Sequence, residues 1–205
     1  MGAEKYDYLS RFNGKPASEL SFNLNISERY YYVGYIDLVM RHRDSGRYAI
    51  VDIKTTSLNS QDLRPHYRNS DQGVGYSIVL DAIVGTDLAA FDVAYWVTQL
   101  PGSKAEMYNP KHHELAFPYT IKDRFDWFLK LYLDVNYITA LEQMTAYPKR
   151  GQSCMNYNRV CNFYTECNEV ALDEPQIYTP DEIEYDFNFE LADLLASHQS
   201  RLESL

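Results

Sequence analysis

Apolar and polar residues alternate from Leu20 to Ile26, which is typical of a β-strand with one buried face. The segment from Tyr30 to Met40 is rich in Tyr, Val and Ile, the residue types that favour strands. The polar sequence from Arg43 to Gly46 predicts a turn, and Arg47 to Lys54 then has the composition of a returning strand. This part of the chain therefore predicts a strand followed by a β-hairpin.

Helical spacing becomes visible after this hairpin. Val74, Ile78 and Ala82 recur at helical intervals, which predicts a buried helix. This helix covers residues 72–85, and residues 91–100 after it predict a strand. Two further helices are predicted over 120–146 and 181–198, and a short one is predicted before the hairpin, over 4–13. Strands mixed with helices in this order indicate an α/β or α+β domain with a mixed β-sheet flanked by helices.

The charge of the chain is concentrated at its C-terminal end. The 205 residues carry a formal net charge of −10, which by itself argues against a nucleic-acid-binding protein. Residues 173–205 hold nine acids and one base, whereas residues 1–172 hold 20 acids and 18 bases and are nearly neutral. We therefore expect a domain over 1–172 and an acidic, helical tail over 173–205. The negative charge that argues against nucleic-acid binding therefore lies mainly in the tail, and it does not exclude nucleic-acid binding by the domain.

No apolar stretch is long enough for a membrane helix, and the first residues lack the apolar core of a signal peptide. These patterns predict a cytoplasmic protein with no membrane association.

Three charged residues, Asp37, Asp52 and Lys54, interrupt the apolar strands of the predicted hairpin. Buried charges cost free energy unless they are paired or bound to a metal. A hairpin closed on Asp44 and Ser45 places Asp37 opposite Asp52, whereas a shift of the loop by one residue places Asp37 opposite Lys54. Because strand side chains alternate between faces, both registers put the three charges on one face.

Two carboxylates that face each other repel, and a divalent cation between them removes that cost. Carboxylate oxygens suit Mg²⁺ or Mn²⁺, and a neighbouring lysine can orient water. This set of residues fits metal-assisted phosphodiester hydrolysis. An ion pair between Asp37 and Lys54 with a purely structural role explains two of the three residues equally well.

The motifs Gly34-x-x-Asp37 and Asp52-x-Lys54-Thr55-Thr56, followed by Gln72-x-x-x-Tyr76 on the next predicted helix, resemble the PD-(D/E)XK nuclease superfamily. They are most similar to its RecB-like exonuclease branch, which includes CRISPR-adaptation and phage recombination nucleases. The resemblance implies a restriction-endonuclease-like core and a metal-dependent DNA nuclease that acts in recombination, repair or phage- or CRISPR-related processing. It also implies roles for individual residues.

By this resemblance, Asp37, Asp52 and the backbone carbonyl of Ile53 bind the metal, and Lys54 acts on the attacking water. The resemblance further implies that Gln72 and Tyr76 position the phosphate backbone or the lysine, and that Glu19 is an additional, weaker metal ligand. Each of the last three has a structural alternative: a polar residue at a helix start, a core aromatic and a surface acid, respectively.

The three cysteines lie close together, at Cys154, Cys161 and Cys167. Their spacing is similar to the C-terminal cysteine group of the iron–sulfur members of this branch, although a cluster usually needs four thiolates. A histidine can supply the fourth ligand for an iron–sulfur cluster or Zn²⁺, the fourth cysteine can be lost or lie on sequence missing from this chain, or the thiols can simply pack in a core. The histidine candidates are His42, His66, His112, His113 and His198.

Several cations are candidates for contacts with DNA phosphates: Arg64, Arg68, Lys149 and Arg150. A solvated surface is the alternative for each of them. We expect the tail over 173–205 to dock on a protein partner or to cover the DNA-facing surface. The competing functional hypothesis is a non-catalytic or partner-dependent subunit that uses a nuclease fold to bind DNA or protein.

Overall fold

The computed structural model describes residues 4–84, 90–100, 109–144, 155–156, 159–161 and 184–204. The helices are α1 (Ser60–Arg68), α2 (Asp71–Val84), α3 (Ile121–Glu142) and α4 (Leu191–Glu203). The strands are β1 (Tyr6–Tyr8), β2 (Arg11–Phe12), β3 (Lys15–Pro16), β4 (Ser18–Asn25), β5 (Tyr31–His42), β6 (Tyr48–Thr56), β7 (Ala90–Gln99), β8 (Lys111–Thr120), β9 (Met155–Asn156), β10 (Arg159–Val160) and β11 (Phe187–Glu190).

The chain divides into two compact units, the first formed by Met1–Phe128 with Glu184–Leu205 and the second by Leu129–Ile183. In the described part of the first unit, seven strands form one mixed sheet in the order β11-β4-β5-β6-β7-β8, with β1 paired to β5. The pairs β4–β5, β5–β6 and β7–β8 are antiparallel, whereas β6–β7 and β11–β4 are parallel. The predicted fold class, a mixed sheet flanked by helices, is confirmed.

The sheet is buried on both faces at its centre. In β6, the consecutive residues Ala49, Ile50, Val51 and Asp52 are all buried, although their side chains alternate between faces. One face packs a cluster that includes Tyr6 and Met40 with Ala49 and Val51. Helix α2 is buried along most of its length, as its apolar composition predicts. The charge of Asp52 therefore lies in a core strand.

Helix α2 approaches the sheet closely because it carries two glycines in its first turns. A Cβ at Gly73 would overlap the hydroxyl of Tyr95, and a Cβ at Gly75 would lie 2.6 Å from the hydroxyl of Tyr32. Real Cβ atoms are not found that close to other atoms, so a larger residue at either position forces the helix or the tyrosine to move. The glycines thus set the position of the segment that carries Gln72 and Tyr76.

Some elements differ from the sequence-based expectations. Residues 4–13 form short strands instead of a helix, and α1 and β8 were not predicted. Pro65 lies inside α1. Because proline removes a helical hydrogen bond, its presence in the sequence argues against a helix there. Strand β8 contains Pro118 and many polar residues, which are tolerated because β8 is at the edge of the sheet.

The C-terminal segment belongs to the first unit. A helix was expected over 181–198, but residues 187–190 form β11, and α4 begins at Leu191. The Asp186 carboxylate accepts hydrogen bonds of 3.0 Å from the backbone N–H and the hydroxyl of Ser21. Arg201 forms a two-pronged ion pair with the buried Asp81 of α2. These contacts attach residues 184–204 to β4 and α2.

The second unit is described in part. Residues 129–142 continue α3, and β9 and β10 form a short antiparallel pair in which Val160 lies opposite Met155. Among the helices of the described ranges, none combines the length and the hydropathy of a membrane-spanning segment.

Candidate functional site

The β5–β6 hairpin has the first of the two registers considered for it. Arg41 lies opposite Tyr48 and Leu38 lies opposite Val51. Continued by one residue, this pairing brings Asp37 opposite Asp52. The loop register that would have set Asp37 opposite Lys54 is therefore wrong.

Asp37 ends the hydrogen-bonded ladder between these strands. In this register, the N–H of Ile53 would next bond to a backbone carbonyl of β5. It instead donates to Asp37 Oδ2 at 3.0 Å. The carboxylate of Asp37 is thereby held beside the segment that carries Asp52 and Lys54. Ile53 itself is half exposed, at 54%.

Asp52 is almost completely buried, with 1% of its surface exposed, and it pairs with Lys54. The Lys54 Nζ lies 3.1 Å from Oδ1, to which it donates, and 2.9 Å from Oδ2. Burial raises the pKa of Asp52, the lysine opposes that rise, and the charge of Asp37 adds to it. The ion pair of Lys54 thus involves Asp52, and the alternative pairing with Asp37 is wrong.

The donor set at this point suits a hard divalent cation. Asp52 Oδ2 is buried and lies 2.9 Å from the Lys54 Nζ, an ion-pair contact without hydrogen-bond geometry, and a carboxylate oxygen in such a contact can still ligate a cation. Two carboxylates and carbonyl oxygens are the ligands that Mg²⁺ and Mn²⁺ prefer. Among the described residues, however, no group of three or more His, Cys, Asp or Glu side chains is arranged around a common point.

Gln72 and Tyr76 lie on α2 and join it to β5. Gln72 Nε2 donates to the Tyr76 hydroxyl at 2.8 Å, and this hydroxyl donates to the backbone carbonyl of Tyr35 at 2.6 Å. Burial raises the pKa of Tyr76, the hydrogen bond from Gln72 lowers it, and the charges of Asp52, Asp37 and Glu19 raise it further. The hydroxyl therefore stays protonated and holds the backbone two residues before Asp37.

Glu19 lies in β4 between two paired positions, Ser18 opposite Leu38 and Leu20 opposite Ile36. This register places it opposite Asp37. Its backbone is left-handed, with φ of 53°, a conformation that costs free energy for residues other than glycine. Its side chain is exposed. Glu19 is thus near Asp37 in the sheet, at a strained backbone position.

Two tyrosines that the sequence reasoning missed flank the pair of Asp52 and Lys54. Tyr95 is the partner of Asp52 in β7 and is fully buried, and Tyr67 of α1 stacks on it with ring centroids 4.8 Å apart. Burial raises the pKa of Tyr95 to about 12. Burial also raises the pKa of Tyr67, with the charge of Lys54 opposing that rise. The chain has 19 tyrosines, so composition alone did not single these out.

The predicted DNA contacts and the cysteine segment are described only in part. The Arg64 guanidinium lies 4.9 Å from the centre of the buried Phe117 ring. Arg68 is the last residue of α1, and its carbonyl accepts a hydrogen bond of 2.9 Å from the Tyr119 hydroxyl. Lys149, Arg150, Cys154 and Cys167 lie outside the described residues. Cys161 is partly buried, and it forms no disulfide with any residue in the described part of the chain.

Comparison with known proteins gives two findings. A sequence profile of the PD-(D/E)XK nuclease superfamily matches residues 5–168. The crystal structure of SSO0001 aligns with a TM-score of 0.27 and 14% sequence identity, over 50% of this chain and 42% of that chain. The family assignment accordingly rests on the sequence match, which covers most of the chain.

Proposed function

Because the chain belongs to the PD-(D/E)XK nuclease superfamily, we propose that it is a Mg²⁺- or Mn²⁺-dependent DNA nuclease of the RecB-like exonuclease type. Such an enzyme would act in recombination, repair or phage- or CRISPR-related processing of DNA. The observation that carries this proposal is the buried Asp52 paired with Lys54, next to Asp37. A core strand retains an unfavourable charge here, and a catalytic role explains why.

In this proposal, Asp37, Asp52 and the carbonyl of Ile53 hold the cation, and the exposed Glu19 is a weaker ligand. A bound Mg²⁺ or Mn²⁺ supplies Lewis-acid stabilisation of the charge that develops on the phosphate oxygens. Lys54, which is one-third exposed, reaches both the carboxylate and solvent. Its ammonium group orients the attacking water in line with the phosphorus and the leaving oxygen.

Gln72 and Tyr76 act as positioning residues in this scheme. Their hydrogen-bond chain ends on the carbonyl of Tyr35, so it fixes the backbone of β5 beside Asp37. A Tyr76→Phe variant removes the hydroxyl and with it both hydrogen bonds of this chain, the one from Gln72 and the one to the carbonyl of Tyr35. We expect it to lower kcat more than it raises KM, since the carboxylate would be held less precisely.

The test of nuclease activity uses end-labelled single-stranded and double-stranded DNA with Mg²⁺ or Mn²⁺. Asp52→Asn and Lys54→Met should each lower the rate by about 10²–10⁴-fold. The exposed i,i+4 pair Lys122 and Asp126 offers matched controls, because Lys122→Met and Asp126→Asn make the same changes outside the site. Activity that survives in both site variants would refute the proposal, and products from end-labelled DNA distinguish exonuclease from endonuclease cleavage.

A second candidate function is a non-catalytic or partner-dependent subunit that uses the nuclease fold for binding. It is favoured by one observation: among the described residues, no group of three or more His, Cys, Asp or Glu side chains lies around a common point. In this second candidate function, residues 173–205 would bind a protein partner. Calorimetry with Mn²⁺ separates the candidates, because only an enzyme requires a site that is lost in Asp37→Asn and Asp52→Asn.

The cysteine segment supports a separate proposal, that Cys154, Cys161 and Cys167 bind an iron–sulfur cluster or Zn²⁺ with a fourth ligand. Protein purified without oxygen should then contain stoichiometric iron or zinc, and a cluster should show broad visible absorption that dithionite bleaches. Colourless protein free of both metals would rule this out.

A further inference from the structure

A cleft of about 280 Å³ lies in the first unit, away from the catalytic candidates. It is lined by β2 and the residues next to it, by the end of α2 and by the turn ends of β5 and β6; the lining includes Arg11, Phe12, Asn13, Arg41, Tyr48 and Ile83. Arg41 follows Asp37 by four residues in β5, which corresponds to about 13 Å along a strand. The buried residues Val39 and Ile50 lie between the two places, so the cleft is a separate site.

Both arginines of the cleft are anchored by the turns next to them. Arg11 Nη1 donates to the carbonyl of Gly14 at 2.8 Å, and Arg41 Nε donates to the carbonyl of Gly46 at 3.1 Å. Both glycines have positive φ, at 81° and 66°. One hydrogen bond each leaves several of the five N–H donors of a guanidinium group for another acceptor. The two guanidinium groups are therefore held in place while several of their N–H donors remain available to a ligand.

The charge in this cleft is unlike that of the whole chain. The protein has a net charge of −10, yet the described lining residues contain two arginines and no carboxylate. Nearby Arg43 and Arg47 are paired with Asp7 and Asp92, respectively. Within the described residues, Arg11 and Arg41 form no such ion pair. The final turn of α2 carries partial negative charge and offsets a small part of this excess.

The cleft also contains aromatic surface. Phe12 is buried and meets the Tyr48 ring edge to face, with centroids 5.0 Å apart, so the Tyr48 ring is supported from one side. Two guanidinium groups bind phosphate with several hydrogen bonds, and a tyrosine ring suits a planar base. The volume is slightly below that of typical small-molecule sites, which matches a single nucleotide better than a large cofactor.

We propose that this cleft binds one nucleotide unit, with its phosphate on Arg11 and Arg41 and its base against Tyr48. The nucleotide is either a free mononucleotide or one residue of a nucleic-acid strand, since both carry the same chemistry. The proposal goes beyond hydrolysis and needs no divalent metal. It therefore stands or falls independently of the proposed nuclease activity.

The experiment measures binding to the full-length chain in EDTA, so that no hydrolysis takes place. Calorimetry is done with deoxyadenosine 5′-monophosphate, and fluorescence anisotropy with a labelled single-stranded oligonucleotide. Arg11→Gln and Arg41→Gln each remove one phosphate contact, and Asn13→Asp adds a carboxylate to the cleft without a change of size. Arg43→Gln is the matched control. It changes the net charge by the same amount, but Arg43 is paired with Asp7 and does not line the cleft. Unfolding curves establish that each variant folds.

We expect both cleft arginine variants and Asn13→Asp to weaken binding at least about tenfold, while Arg43→Gln changes it less than twofold. This result with the mononucleotide supports a free nucleotide as the ligand. The same pattern with the oligonucleotide alone supports a strand. If neither probe distinguishes the cleft variants from Arg43→Gln, the proposal is overturned. If Tyr48→Leu leaves the affinity for the preferred probe unchanged, the assignment of the base to Tyr48 is overturned.

Discussion

Gly73→Ala adds a single methyl group at the point where α2 lies against the sheet. The new Cβ would overlap the hydroxyl of Tyr95 and lie 3.1 Å from the hydroxyl of Tyr119. Tyr95 cannot easily retreat, because it is fully buried and stacks on Tyr67. The helix has to move instead, and with it the adjacent Gln72.

The size of the effect follows from two opposing contributions. Overpacking of a well-filled core costs about 1–3 kcal/mol, and two fixed hydroxyls put Gly73→Ala at the upper end. Alanine returns about 1 kcal/mol because it is a better helix former than glycine. The free energy of unfolding should therefore fall by about 2 kcal/mol, measured by urea denaturation.

Tyr95→Phe tests the cause, because it removes the oxygen that the methyl group would meet. Alone it should change the free energy of unfolding by less than about 1 kcal/mol, because the buried Tyr95 hydroxyl makes no hydrogen bond with the described part of the chain. In the Tyr95→Phe background, Gly73→Ala should cost less than about 1 kcal/mol, so the two substitutions couple favourably. Gly14→Ala is the control: its cost comes from a φ of 81° in open space, and Tyr95→Phe should not reduce it. A Gly73→Ala cost that is unchanged by Tyr95→Phe would refute the steric explanation.

Three further outcomes are expected. Glu19→Gly should raise the free energy of unfolding by about 1 kcal/mol, because glycine adopts the left-handed backbone of this position without strain. Glu19→Gln keeps the strain and should leave the free energy of unfolding unchanged. Equal stability of the two variants in urea denaturation would contradict this explanation. Burial raises the folded-state pKa of Asp52, so its contribution to stability falls as pH rises from the unfolded pKa through the folded one. Asp52→Asn should remove that fall, and identical pH dependence of unfolding in both proteins between about pH 3 and 7 would count against it. Hydrogen bonds from Ser21 lower the pKa of Asp186, so the stability lost in Asp186→Asn should be present above the unfolded pKa and disappear as pH falls through the folded value. A deficit in urea unfolding that is the same at pH 7 and about pH 3 would show that the carboxylate charge is not responsible.

The sequence by itself determined the central part of the molecule. Period-two alternation around Leu20 and the β-rich composition after Tyr30 identified β4 and β5, since these are properties of neighbouring residues. The same local reasoning identified the hairpin turn and limited the pairing of Asp37 to two partners. It also placed Asp52 and Lys54 on one side of a strand, because that depends only on the alternation of side chains.

Only the tertiary structure decided which charges meet. Lys54 pairs with Asp52, a choice that depends on how β5 and β6 separate at Asp37. The left-handed backbone of Glu19 likewise has no local sequence signal, since glutamate has no preference for it. The roles of these residues in catalysis stay predictions, because their geometry is compatible with them and does not test them.

The C-terminal segment shows most clearly what a local pattern cannot contain. Its helical spacing predicted a helix over 181–198, but residues 187–190 form β11, which pairs in parallel with β4, a strand separated from it by most of the chain. Parallel pairing between distant segments requires a sheet edge with unpaired backbone groups, here that of β4. The sequence of the C-terminal segment does not encode where that edge lies. Asp186 and Arg201, which looked like tail charges, are paired with Ser21 and Asp81 of the first unit. Long-range contacts of this kind are what the folded chain adds to its sequence.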